Sequence, residues 1–360
     1  MATHRALGSP ATEWYAVGVA RQARWPSVAI LLVSGLIAGT LIAVGTATPP
    51  SPVAPSPTES STPAQPSDVS GLAPVPSSTD PLPSGSASPS PPVSADLSDH
   101  PFTVLVLGGD NGFRTDATIV VGVDPLNKRL SLASIPRDTA NVPLPDGGIF
   151  RNRKINEFYD YAGQAAGRYP QGPGRATADM VGTLLGIHVD YYVATSFDGF
   201  VNLVDALHGV RLTLPKAVVD PYYQITTTKI GVRFARGAQT LRGDRALIFV
   251  RTRQGDNDFE RQRRHQLFLL AAGRQVLAHP ELLLGLLDVR QNVVTDFPLE
   301  QLPTLVNALS TAGSWPVEQV VLGPRTYESN VSCSCGYALQ PNLAAMRAKA
   351  RALFPWAVVP

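Results

Sequence analysis

The chain has 360 residues, a formal net charge of +2 and two cysteines. The near-neutral balance gives no general case for a nucleic-acid binder. The first hundred residues do not look globular, and the remainder is long enough to bury a core of its own. Arginine dominates the basic residues, since the lysines are only Lys128, Lys154, Lys216, Lys229 and Lys349. A guanidinium presents a planar fork that matches phosphate and carboxylate oxygens, so where the arginines cluster matters more than their number.

Residues 1–26 read as a cytoplasmic tail. Residues 27–45 (SVAILLVSGLIAGTLIAVG) carry no charge over 19 positions, enough for a transmembrane helix. Arg5, Arg21 and Arg24 precede this run, and no Lys or Arg follows until Arg114. The positive-inside rule then predicts a single-pass signal anchor in the cell membrane, with the N-terminus in the cytoplasm and the bulk of the chain extracytoplasmic. A cleaved signal peptide is the competing reading, weakened by the length and late start of the apolar run. Residues 46–99 are mostly Pro, Ser, Thr and Ala, with no aromatic side chain, and predict a disordered linker.

The folded domain is expected over 100–330, with a C-terminal extension at 331–360. Residues 102–110 (FTVLVLGGD) read as a buried strand running into a turn. Further strands are expected at 116–123 and 130–135, with turn chemistry between them. A helix at 179–185 and a short strand at 191–195 follow. Helices are then predicted at 197–207, 244–253, 259–277, 281–287 and 299–309, and a late strand at 317–322. Strands mixed with helices over one core predict a three-layer α/β/α domain with a mixed central sheet. The spacing of Cys333 and Cys335 is no familiar zinc pattern. An exported domain permits a disulfide, and a structural role is favoured over redox chemistry.

Four segments hold the unusual residues. In residues 108–116 (GGDNGFRTD), Asp110 closes one strand and Asp116 opens the next, so both carboxylates reach one sheet edge. Paired carboxylates suit a hard cation, although turn capping is the commoner explanation. Residues 134–138 (SIPRD) place Arg137 and Asp138 just past a strand end, where ligands of open α/β sheets collect. Residues 151–157 (RNRKINE) put Lys154 and Asn156 on a basic loop, which alone reads as a solvated charge run. Residues 250–266 (VRTRQGDNDFERQRRHQ) pack Arg251, Arg253, Arg261, Arg264 and His265 around a helix start. The local acids Asp256, Asp258 and Glu260 are too few to balance them, which points to a polyanionic ligand at a helix N-terminus.

Taken in order, these segments resemble the LytR-CpsA-Psr family of wall-polymer ligases over about residues 102–278. The matching positions are Asp110, Arg114 with Asp116, Arg137 with Asp138, Lys154 with Asn156, Arg251 with Arg253, and Asp258 with Arg261, Arg264 and Gln266. Two departures stand out: His208 where the family usually has Gly, and His265 where it usually has Gln. The resemblance implies a membrane-anchored phosphotransferase. Its donor is a glycan linked through pyrophosphate to a polyprenyl carrier, and its acceptor is a peptidoglycan hydroxyl. It further implies Mg²⁺ (or Mn²⁺) on Asp110 and Asp116, and a catalytic set of Arg137, Asp258 and Arg261. Arg114, Lys154, Arg251, Arg253, Arg264, His265 and Gln266 are then expected on the pyrophosphate, with His265 a candidate proton donor. Two rival readings stay open: a polyprenyl-pyrophosphate hydrolase and a non-catalytic lipid-phosphate receptor or envelope regulator.

Overall fold

A computed structural model describes residues 97 and 99–359, apart from 254–256, 299–300, 302–304, 306–308 and 310–314. The tail, the expected membrane span at 27–45 and nearly all of the linker lie outside these residues, as does most of the helix expected at 299–309. Among the described residues no helix is long and apolar enough to cross a membrane.

In chain order the strands are β1 (Phe102–Gly109), β2 (Thr115–Asp124), β3 (Arg129–Ser134), β4 (Ala140–Pro143), β5 (Ile149–Lys154), β6 (Tyr191–Ser196), β7 (Val210–Leu214), β8 (Val218–Gln224), β9 (Ile230–Phe234), β10 (Gly237–Leu241), β11 (Val293–Thr295), β12 (Val317–Val321), β13 (Tyr327–Cys333) and β14 (Gly336–Pro341). The helices are α1 (Phe158–Gln164), α2 (Pro173–Leu185), α3 (Phe197–Ala206), α4 (Gly243–Arg251), α5 (Asp258–Ala278), α6 (Leu282–Asp288) and α7 (Leu343–Leu353). The central sheet has six strands in the order β11-β6-β1-β2-β3-β12. It is mixed: β1 runs parallel to β6 and β3 parallel to β12, while β2 is antiparallel to both β1 and β3.

Strand alternation divides the core into two layers. Val104, Ile119 and Val121 face one side and pack with α3, α4 and α5, through residues such as Leu203, Phe249 and Phe268. Leu105, Val120 and Ala133 face the other side and pack with α1, α2 and α7, through Phe158, Val181 and Met346. This is the expected three-layer α/β/α arrangement. Helix α2 stops at Gly186, whose φ of 67° is the left-handed conformation that a side chain disfavours.

Two parts were not legible as such in the chain. Four two-stranded ribbons (β4–β5, β7–β10, β8–β9 and β13–β14) stand beside the central sheet. The segment read as a C-terminal extension belongs to the domain itself: the described residues through Val359 fall in one compact unit. In that segment Met346, Ala350, Leu353 and Phe354 are buried in the second layer. A Cβ on Gly122 of β2 would lie 2.5 Å from the ring of Phe354, so the central strand is shaped to receive the C-terminal segment.

Candidate functional site

The topology brings the C-terminal ends of β1, β3 and β6 to the same edge as the start of β2, the place where open α/β sheets gather ligands. β1 delivers Asp110. Its Oδ1 accepts hydrogen bonds from the backbone N–H of Gly112 at 3.0 Å and of Arg114 at 2.9 Å, closing a tight turn. Phe113 in that turn has φ 56° and stacks on Tyr159 at 4.8 Å. Asp110 therefore does cap a turn, and it also lines a polar cavity of about 550 Å³.

Asp116 sits at the centre of the charge cluster. Its Oδ1 accepts from Arg137 at 2.5 Å and from Arg261 at 3.3 Å, and its Oδ2 lies 3.9 Å from Nε of Arg251. Burial raises the carboxyl pKa, but Arg261 and then Arg137 outweigh that and hold it below the ordinary carboxylate value. Burial likewise lowers Arg137, and Asp116 more than restores it. Arg261 is 1% exposed, and burial pulls it down against the support of Asp258 and Asp116. Its Nη2 lies 2.6 Å from Oδ1 of Asp258, an ion pair made within the first turn of α5. Asn257 caps that helix, its side chain accepting from the Glu260 N–H.

The other expected residues divide into two groups. Arg114, Arg137, Lys154 and Arg251 line the polar cavity with both aspartates. Lys154 is held by Asp138 at 2.8 Å, and Arg251 stacks over Phe197 at 4.2 Å. Arg264, His265 and Gln266 do not line that cavity, although His265 lines the apolar one beside it. Helix α5 dips into the core after its first turn. Arg264 is buried and donates to the carbonyl of Thr252. Gln266 donates to Ser134 Oγ at 2.8 Å and to the Val320 carbonyl at 2.9 Å, tying α5 to β3 and β12. His265 places Nε2 at 2.8 Å from the Val250 carbonyl. Burial first, and Arg261 second, push its pKa down to about 3. A neutral imidazole whose Nε2 proton is given to a carbonyl is no proton donor to a substrate. Arg253 is exposed; its backbone N–H donates to Asp220, and it lines neither cavity described here.

Several residues of the site were not singled out. Asn152, Arg153 and Glu157 line the polar cavity alongside Lys154. The basic run at 151–154 was the available signal. Ser334 and Cys335, at the tip of the β13–β14 hairpin, form another part of its wall, and Cys333 is disulfide-bonded to Cys335. The hairpin is fixed beneath the site: Tyr327 shares a hydrogen bond with Thr139 at 2.7 Å, and the Leu339 N–H donates to the Asp138 carbonyl at 2.9 Å. Gln262, fully buried, reaches the Asp116 carbonyl at 3.4 Å.

A second cavity of about 130 Å³ runs from this edge into the first core layer, lined by apolar side chains that include Val106, Ile119, Phe200, Leu203, Phe268 and Ala272. Asp116, Phe197 and Arg251 line both cavities. A charged chamber thus meets a greasy one across three residues. That arrangement fits an amphiphile with an anionic group at the junction and a hydrocarbon portion behind it.

The LytR_cpsA_psr family model matches residues 77–351. The polyisoprenyl-teichoic acid–peptidoglycan teichoic acid transferase TagV of Bacillus subtilis (strain 168) is 32% identical over 190 residues, which is 49% of this chain and 44% of that protein. The TagU transferase of Halalkalibacterium halodurans is 32% identical over 191 residues, 51% of this chain and 56% of that protein. The chain thus spans about half the length of the curated relatives it matches. Among solved structures, TagT bound to LIIa-WTA is 25% identical with a TM-score of 0.57, covering 74% of this chain and 95% of that one. The crystal structure of B. subtilis TagV, 24% identical with a TM-score of 0.56, shares the fold.

Proposed function

The chain belongs to the LytR_cpsA_psr family, and from that premise we propose that it is a membrane-anchored phosphotransferase of the cell envelope. It attaches a glycopolymer carried on polyprenyl pyrophosphate to peptidoglycan by a phosphodiester bond and releases polyprenyl phosphate. The observation that carries this reading is the junction of the polar and apolar cavities at Asp116, Phe197 and Arg251. The relatives named above, transferases acting on a polyisoprenyl-linked teichoic acid and peptidoglycan, support the reaction class. Anchoring through residues 27–45 supports access to a lipid-linked donor.

Phosphoryl transfer asks a protein mainly for positioning and charge neutralisation. Arg137 and Arg251 meet Asp116 and line the polar cavity, where they present forks to the pyrophosphate with Arg114 and Lys154 beside them, while the buried Arg261 holds Asp116 from behind. Asp258 orients Arg261. The phosphate-proximal end of the prenyl chain enters the apolar cavity, which excludes water behind the phosphate. The acceptor oxygen bonds to the sugar-proximal phosphorus, the phosphoanhydride bond to the polyprenyl phosphate breaks, and the hydroxyl proton passes to that departing phosphate, which leaves toward the apolar side.

Mg²⁺ (or Mn²⁺) is part of the proposal, and the donor set fits it. Five basic and four acidic side chains line the polar cavity. A surplus of one base does not cancel a pyrophosphate, so a divalent cation has a charge to balance. Among the described residues no group of three or more His, Cys, Asp or Glu is arranged to hold a metal alone. Asp110 and Asp116 would hold it jointly with substrate phosphate and water, as Mg²⁺ commonly is. When bound, it would draw charge from the phosphate oxygens.

The test incubates the full chain with Mg²⁺ and a short polyprenyl-pyrophosphate-linked sugar, with and without peptidoglycan fragments. Asp116→Ala and Arg137→Ala are run in parallel. Polyprenyl phosphate release with the sugar phosphate moved to the fragment, lost in both variants, is the expected result. Release without transfer would assign a hydrolase. Binding without turnover, unaffected by Asp116→Ala, would assign a receptor.

A further inference from the structure

The β8–β9 hairpin has two unlike faces. Its register pairs Val218 with Phe234, Val219 with Arg233 and Asp220 with Val232. Val218, Asp220, Val232 and Phe234 are buried, and Tyr223 and Ile225 pack on the first core layer. The opposite face holds Tyr222 at 74%, Ile230 at 62% and Val219 at 43% exposure. Three large apolar side chains bared on one short hairpin are more than scattered surface residues. Lys229, Arg233 and Arg236 around them are exposed. Arg245, also exposed, stacks over Phe234 at 4.2 Å and donates to the Arg233 carbonyl at 2.5 Å. Lys216 at the base of the hairpin is engaged by Glu260 at 3.5 Å. Between Leu214 and Gly237 the sole acid is Asp220, which is buried; the exposed acid next in sequence is Asp244, in the first turn of α4.

We infer that the outer face of the β8–β9 hairpin docks on an anionic lipid bilayer. Protruding aromatic and aliphatic side chains ringed by bases are the composition of an interfacial membrane surface. A soluble polyanion would use the bases but has no use for Tyr222, Ile230 and Val219. The hairpin is also bolted to the reaction site. Asp220 Oδ2 accepts from Thr252 Oγ1 at 2.5 Å and from the Arg253 N–H at 3.2 Å, directly after Arg251. The docked hairpin is thus hydrogen-bonded to the segment that follows Arg251, a residue lining both cavities, so docking holds that segment close to the membrane. The purpose of that approach, drawing a lipid-linked donor from the bilayer, rests on the function proposed above; the docking itself does not.

The experiment follows amide hydrogen exchange of residues 219–231 in the full chain. The chain is placed in nanodiscs of phosphatidylcholine alone, in nanodiscs containing phosphatidylglycerol, and in detergent. A two-stranded ribbon opens readily, so its amides report contact sensitively. Exchange is expected to slow in the anionic discs. Tyr222→Asp with Ile230→Asp should abolish the slowing, and Lys229→Gln or Arg233→Gln should each lower the docked-to-undocked ratio about fivefold. Continued protection of β1 and β2 shows that the variants are folded. Equal exchange in all three media overturns the inference. Slowing seen only on adding soluble poly(glycerol phosphate) also overturns it and assigns the face to a polymer. No turnover is read, so failure of the transferase assay and failure of docking are separate outcomes.

Discussion

The neutral His265 makes the strongest quantitative claim about this domain. Its folded pKa of about 3 lies well below its ordinary value of 6.5. The unfolded chain therefore takes up a proton that the folded chain refuses. The contribution to stability is full above pH 6.5 and is lost as the pH falls from there toward 3. Each pH unit in that window costs about 1.4 kcal/mol, so the loss by pH 4.5 is on the order of 3 kcal/mol. His265→Gln removes the titration, and a Gln amide can still donate to the Val250 carbonyl. Asp116 does not confuse the comparison: its lowered carboxyl pKa costs stability only near and below its ordinary value of 3.8. Asp296 is raised by burial, so it works with the opposite sign, but it is common to both proteins. The assay is urea denaturation of the full chain from pH 4.5 to 7.5, followed by tryptophan fluorescence. Wild type should lose the stated increment relative to the variant on acidification. Parallel stability curves would refute a buried neutral His265.

Three further outcomes are expected. Arg137→Ala should reduce transfer by about a hundredfold or more by removing a donor from the phosphate, with Arg137→Lys intermediate, measured as initial rates of polyprenyl phosphate release. Ala272, fully buried in the wall of the apolar cavity, should tolerate Leu structurally; the variant should raise KM for long-chain donors and leave short-chain donors unchanged. Gly122→Ala places a Cβ against the buried Phe354 ring and should destabilise the domain by about 1–3 kcal/mol in denaturation experiments, against no loss if the C-terminal segment were a detachable extension.

The central strands and long helices were legible because their apolar periodicities are strong. FTVLVLGG is an almost wholly apolar run and TDATIVVGVD has an apolar centre, and both are buried on two faces. The ribbons were not, since strands such as Gly237–Leu241 and Ile230–Phe234 are short and mostly exposed on one face. Helix α7 carries three bases in eleven residues, and its apolar stripe reads as core only once β2 is seen to leave room for Phe354. Within the site, Asp110, Asp116, Arg137, Lys154 and Arg251 were findable because each lies at or near a strand or helix end. Arg264, His265 and Gln266 continue the same run of sequence, but one helical turn carries them from the rim into the interior. Polar residues in the first layer of a helix and polar residues buried beneath it look alike in a chain.

That distinction changes the electrostatic argument as well. The surplus of arginine in residues 250–266 suggested a polyanion because local acids were few. The fold supplies acids from far along the chain: Asp116, more than 130 residues away in sequence, meets both Arg251 and Arg261. Asp258 on Arg261 and Asp138 beside Arg137 share the neutralisation, and Asp116, set among all three guanidiniums, fixes their directions. Ion pairs of this kind add little net stability once desolvation is counted. Arg261, almost wholly out of solvent, makes that desolvation cost plain. Such an arrangement is better explained by orientation than by fold stability. The guanidiniums are held in place before an anion arrives, so little reorganisation remains when charge shifts on the phosphate. On this view Asp116 matters to the chemistry chiefly through the arginines it aims, and the cation proposed at Asp110 and Asp116 completes the charge balance they leave open.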